Sequence, residues 1–104
     1  MAIIESLYFG APVFGTPYGS LPELVNQDIG FLSNSSTKLS EAMGHCQDYD
    51  PKTCHDYAVT HFNAEKMSKA YLNLYESVIQ GKEINKNLPQ TLAVDTPKFL
   101  DWVK

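Results

Sequence analysis

The chain contains no arginine: all eight of its basic residues are lysines, and none occurs before Lys38. The planar guanidinium fork that grips phosphate or carboxylate at two points is therefore missing throughout. The only charged side chains in the first part are Glu5, Glu23 and Asp28, and the formal net charge is −4. This balance lacks the clustered cations of a nucleic-acid groove, so no nucleic-acid partner is expected. Cysteine is scarce too, with only Cys46 and Cys54. Two cysteines do not make a secreted disulfide scaffold, and reduced thiols are expected. No apolar run approaches the ~18 residues of a membrane span, and the opening MAIIESLYF has neither the basic region nor the small-residue cleavage site of a secretory signal. A cytoplasmic location follows as the expectation.

What is present is a chain of 104 residues, 43% hydrophobic, with six glycines and six prolines. That length suits one domain burying roughly two-thirds of the surface its unfolded chain exposes. Ala2–Phe9 reads as a helix, with Ile3, Ile4, Leu7 and Tyr8 on one face and Gly10 as its stop. No capping residue precedes it, as is usual of a domain cut from a longer chain. Ala11-Pro12-Val13-Phe14 is a short strand candidate, and Ile29-Gly30-Phe31-Leu32 a second. Between them lie a turn-rich Gly15–Ser20 loop and a short helix over Leu21–Val25, where Ser20 and Glu23 have the spacing of a capping box.

From residue 35 the period becomes helical. Leu39, Ala42, Met43 and Cys46 form one stripe behind Ser35 and Ser36. Asp50-Pro51 opens a second helix carrying Cys54, Ala58 and Phe62. Asn63 opens a third, with Met67, Tyr71, Leu74 and Val78 facing inward, Phe62 and Met67 placed for a hydrophobic staple, and Gly81 as its end. Residues 82–95 read as a connector. Thr96-Pro97 then caps a short helix carrying Phe99, Leu100, Trp102 and Val103, an apolar tail that needs a surface. The order α, β, short α, β, then helices is that of the last units of a parallel α/β sheet, and two strands are few for such a sheet.

In α/β sheets ligands sit beyond the carboxyl ends of the strands. Here those places are the Gly15–Ser20 loop and the Ser33–Ser36 loop. Gly19 allows close backbone approach, and the start of the 21–25 helix would offer free N–H groups to an anion.

The segments Ile4-Glu5-Ser6-Leu7, Gly10-Ala11-Pro12-Val13, Gly19-Ser20-Leu21-Pro22-Glu23-Leu24-Val25 and Gly30-Phe31-Leu32 resemble, in order, the EAM, GTPVV, GGLPEVV and TGLLV segments of retaining GT-B glycosyltransferases, the glycogen-synthase-like family 4. Leu39–Ala42, Tyr57–Asn63 and Met67–Tyr75 are similar to that family's C-terminal helices, so the resemblance spans residues 2–79. It implies a partial Rossmann-like α/β domain: residues 1–81 as the C-terminal portion of a nucleotide-sugar donor domain, and 82–104 as a connector with a short helix. Glu5 matches the second Glu of the family's E-x7-E motif, implying a carboxylate that accepts hydrogen bonds from the donor ribose. Gly15, Thr16, Gly19 and Ser20 would border the donor. The first Glu would fall eight residues before Glu5, ahead of Met1. The family's basic diphosphate contacts and acceptor domain have no counterpart in these residues. The resemblance thus implies a fragment of a sugar-transferring enzyme for glycan or polysaccharide synthesis, carrying no catalytic residue and inactive alone.

No cofactor is expected beyond the nucleotide sugar as substrate. His45-Cys46, Cys54-His55 and His61 lack the ligand spacing of a zinc site, so no metal is expected. Cys46 and Cys54 fit core packing. Adjacent Cys54 and His55 would point about 100° apart on a helix and make a poor nucleophile and base. Tyr49, Tyr57, Tyr71 and Tyr75 read as packing aromatics with surface hydroxyls. Without the resemblance, Glu5 is a solvent-facing helix residue, Gly19 and Ser20 a turn and cap, and Glu23 a capping partner. Two further readings stand beside the transferase. One is a non-catalytic interaction module of the same ancestry, pairing with another chain or completing its sheet as a homo-oligomer; the other is a relative of sugar-nucleotide epimerases. Expected partners are the nucleotide sugar and either the missing N-terminal domain or another chain.

Overall fold

A computed structural model describes residues 1–88 and 97–102. The first helix, α1, spans Ala2–Tyr8 and begins at Met1 with no side-chain cap. Gly10 stops it, and Ala11 N–H returns to the Ser6 carbonyl at 3.0 Å. Since Pro12 has no N–H to give, strand pairing begins only at Val13, whose N–H reaches the Ile29 carbonyl at 3.0 Å. Strand β1 is therefore Val13–Gly15 and not the expected run over residues 11–14. A short helix α2, Leu21–Leu24, carries the crossover to β2, Gly30–Leu32. The two strands are parallel, with Val13 opposite Gly30, Phe14 opposite Phe31 and Gly15 opposite Leu32. The architecture is thus mixed α/β with a two-stranded parallel sheet.

Gly30 fixes how closely the strands approach. A Cβ there would lie 2.0 Å from the Val13 carbonyl oxygen and 2.9 Å from Val25 Cγ1, so no larger residue fits this register.

The later helices start where the capping residues stand. α3, Ser36–Gly44, is capped by the Ser35 hydroxyl accepting from Lys38 N–H. α4, Pro51–His61, is capped by Asp50, whose carboxylate accepts from the N–H groups of Lys52 and Thr53. α5, Ala64–Ile79, is capped by Asn63, accepting from Lys66 N–H at 2.7 Å.

The core is small: Leu7, Val25, Ile29, Cys54 and Ala58 are buried, with Ile3, Ile4, Val13, Leu21, Leu24, Leu32 and Tyr57 packed around them. It lies between the sheet and an antiparallel pair of helices, α1 and α4. At one end of this pair Gly10 stands against Pro51. At the other, Met1 and Ile4 share an apolar cleft of about 590 Å³ with Phe62 and Met67. Between them His55 Nδ1 faces the Tyr8 carbonyl, which fixes the proton on that nitrogen as donor, and the two rings lie 4.8 Å apart. The Tyr57 hydroxyl, expected at the surface, instead donates to the Leu24 carbonyl at 3.0 Å and ties α4 to α2.

Three further expectations fail for identifiable reasons. The stripe on α5 does not face inward. Met67, Tyr71, Leu74 and Val78 are 43–58% exposed, and no residue of α5 is buried. The helix lies away from the core, and the radius of gyration is 17.4 Å against about 13 Å for a compact chain of this length. Cys46 is exposed, because α3 ends at Gly44 and the 3-10 turn Cys46–Asp48 carries it off the stripe. The tail is not helical over residues 97–102. Its carbonyls are bound by side chains of other loops, leaving none of Pro97, Lys98 or Phe99 to start a helical ladder. Thr96, Val103 and the apolar Leu92-Ala93-Val94 lie outside the described residues. Among the described residues, no helix is long and apolar enough to cross a membrane.

Candidate functional site

Both strands run in the same direction, so the segments that follow them emerge at one end of the sheet. Gly15 is not part of the loop after β1; it is the last residue of the strand, and its carbonyl accepts from Ser33 N–H at 2.9 Å. This bond pins the start of the Ser33–Ser36 loop beside the start of the Thr16–Ser20 loop. The two regions expected to meet a ligand are therefore neighbours.

Within the first loop, Tyr18 N–H turns back to the Thr16 carbonyl at 2.8 Å. Gly19 has φ +64, a conformation that favours glycine, and a Cβ there would meet nothing within 4 Å. Backbone geometry, and not crowding, selects glycine at this point.

Ser20 does not form the expected capping box. Its φ and ψ are already helical, which turns its hydroxyl away from the N–H groups it would cap. Its backbone carbonyl takes Glu23 N–H at 3.1 Å and Leu24 N–H at 3.2 Å. Leu21 N–H reaches the Tyr18 carbonyl at 3.4 Å, and Pro22 has none. The free anion-binding N–H groups expected at the start of this helix are thus already committed. The Ser20 hydroxyl is exposed and makes no capping bond.

Glu5 sits midway along α1 and is exposed. Among the described residues its carboxylate makes no hydrogen bond or salt bridge, so it is open to an external donor, and nothing ties it to the loops after β1 and β2.

The groups that do converge on these loops come from the C-terminal segment. The Thr16 hydroxyl donates to the Lys98 carbonyl at 3.2 Å. Asn34 Nδ2 donates to the carbonyls of Pro97 at 2.8 Å and Phe99 at 2.9 Å. Asp101 closes the contact from the other side, with its N–H on the Asn34 carbonyl at 2.9 Å and its carboxylate accepting from Ser36 N–H at 2.9 Å. The Ser36 hydroxyl, and then its backbone N–H, hold the Asp101 carboxyl below the ordinary carboxylate range. The ammonium of Lys98 lies 5.5 Å from the centroids of the Tyr18 and Phe99 rings, placing a cation beside a loop that has none of its own.

Sequence reasoning missed Asn34, Ser36, Lys98 and Asp101 as a cluster. The place of the Ser33–Ser36 loop after the second strand is the available signal for Asn34 and Ser36. Nothing in residues 97–101 announced that they would return to it.

A second concavity, a cleft of about 610 Å³, lies beside the turn that enters β2. Gln27, Asp28, His45, Asp48 and Asp50 line it. Thr53 commits Asp50 there by donating from its hydroxyl at 2.8 Å and its N–H at 3.0 Å, which keeps that carboxyl ionised to below its usual range. Among the described residues no three His, Cys, Asp or Glu side chains are grouped to hold a metal ion. Cys54 is buried in the core while its neighbour His55 faces the Tyr8 carbonyl, so the two form no nucleophile and base pair. No protein-family model, curated protein or solved structure matches the chain.

Proposed function

We propose that this chain is the C-terminal part of the donor-binding domain of a retaining GT-B glycosyltransferase, Rossmann-like in its complete form and cytoplasmic. One observation carries the reading: the four family-like segments fall, in order, on α1, the turn leading into β1 at Val13, α2 with its flanks, and β2, with the strands parallel and their following loops side by side. In this role the open Glu5 carboxylate accepts the hydrogen bonds of the donor ribose, while Thr16, Gly19 and Ser20 border the donor and Gly15 ends the strand that presents them. Transfer also requires stabilising a departing nucleoside diphosphate. These 104 residues hold no arginine and lack the first Glu of the family's E-x7-E motif, so the chain alone transfers no sugar.

Isothermal titration with UDP, ADP and GDP tests this. One nucleoside diphosphate is expected to bind, and Glu5→Gln to weaken it about tenfold, the scale of a hydrogen bond to a charged acceptor. Absence of binding by all three would overturn the reading, as would full affinity in the variant.

A second reading, an interaction module that pairs with another chain, is favoured by the exposed apolar stripe of α5. It is separated from the first by sedimentation: a stable complex without nucleotide affinity would favour the module.

A further inference from the structure

Residues 97–101 hold the same loops that a donor would need. Four hydrogen bonds from Thr16, Asn34 and Ser36 end on this segment, and a fifth returns from Asp101 N–H to Asn34. Each donor involved, a hydroxyl, a side-chain amide and a backbone N–H in the first turn of α3, is a group suited to phosphate or hydroxyl oxygens. The carboxylate of Asp101 supplies the negative charge at that turn, where the helix dipole favours an anion.

The segment is held by these polar contacts more than by burial. Phe99 is 59% and Trp102 69% exposed, while Leu100 and Trp102 only edge a shallow groove with Leu39 and Met43 of α3. Water can replace every one of the five bonds, so the contact is reversible where a core contact would not be.

We propose that residues 97–102 are an intrasteric strap that occupies the loops after β1 and β2 and is displaced when a nucleoside diphosphate binds there. This rests on the donor-site reading above. Asp101 is the latch: it accepts from Ser36 and donates to Asn34, so its carboxylate and the ligand's phosphate compete for the same end of the sheet.

The 104-residue chain tests this directly, because Trp102 is its only tryptophan and reports on the strap by itself. Acrylamide quenching of Trp102, hydrogen exchange at residues 34–38 and titration with UDP, ADP and GDP are measured for the wild type and Asp101→Asn. The variant is expected to be quenched more strongly, to exchange faster at Ser36, and to bind the one of these nucleotides that the wild type binds about threefold more tightly or better, as when a binding-competent state rises from about one-third populated to nearly full. That nucleotide should likewise raise Trp102 quenching in the wild type. Unchanged quenching and exchange in Asp101→Asn would overturn the latch. A released strap with equal or weaker binding of that nucleotide would overturn the competition while leaving the donor-site reading intact. A released strap with no binding of UDP, ADP or GDP by either protein would overturn the donor site, and the strap's role as its competitor with it. Asp101→Ala, which removes both carboxylate oxygens, serves as the second variant, with circular dichroism confirming its fold.

Discussion

Replacing Gly30 with alanine probes the closest contact in the sheet. The added Cβ would stand 2.0 Å from the Val13 carbonyl oxygen, where real contacts of this kind do not fall below 3.0 Å, and Val25 Cγ1 blocks the other side at 2.9 Å. Relief needs one strand to move by about 1 Å. That displacement stretches the Val13 to Ile29 hydrogen bond and the pairing beyond it. Overpacking of this sort costs about 1–3 kcal/mol, and one or two weakened hydrogen bonds add about 1 kcal/mol each. The total, about 2–5 kcal/mol, is a large share of the ~5–15 kcal/mol that holds a domain together. Two other glycines serve as controls. Gly19→Ala meets no atom within 4 Å but must adopt φ +64, at about 1–2 kcal/mol. Gly44→Ala meets no atom and ends α3 in an ordinary conformation, so it should stabilise by up to about 1 kcal/mol. Urea unfolding followed by circular dichroism should therefore rank the midpoints Gly44→Ala, wild type, Gly19→Ala, Gly30→Ala, with similar slopes. A Gly30→Ala protein within about 0.5 kcal/mol of wild type would refute the register and the close approach of β1 to β2.

Two further outcomes follow from the distribution of burial. Ile29→Ala removes a fully buried side chain and should cost about 2–5 kcal/mol, whereas Leu74→Ala on the exposed face of α5 should stay within about 0.5 kcal/mol of wild type. A loss above about 1 kcal/mol for Leu74→Ala in the same urea titrations would mean that the α5 face is covered in solution. A thiol reagent should modify Cys46 in the folded chain and Cys54 only after unfolding. Cys54 is buried, and burial, followed by the negative charge of Asp50, raises its thiol pKa and so depletes the reactive thiolate. Equal labelling rates at the two positions would contradict the core described above.

The sequence by itself determined most of the local structure, because the signals for it are local. Ser35, Asp50 and Asn63 start α3, α4 and α5 where their side chains can take the first free N–H groups, and Pro12 sets the start of β1 by lacking an N–H. The order of α1, β1, α2 and β2, and the two loops that meet at one end of the sheet, were legible for the same reason. What lay beyond the sequence depended on partners distant along the chain. An apolar stripe on α5 shows that a face could be buried, but only the tertiary arrangement decides whether anything covers it, and here its residues stay exposed. Thr96-Pro97 carries a helix-starting pattern, yet residues 97–102 form no helix, because Asn34 and Thr16 take the carbonyls a helix would use. Ser20 and Glu23 have capping-box spacing, but the loop from Thr16 delivers Ser20 already in helical conformation and commits the N–H groups elsewhere. Spacing along the chain fixes which groups seek partners; which partner each one finds depends on contacts across as many as 82 positions, and those exist only once the chain is folded.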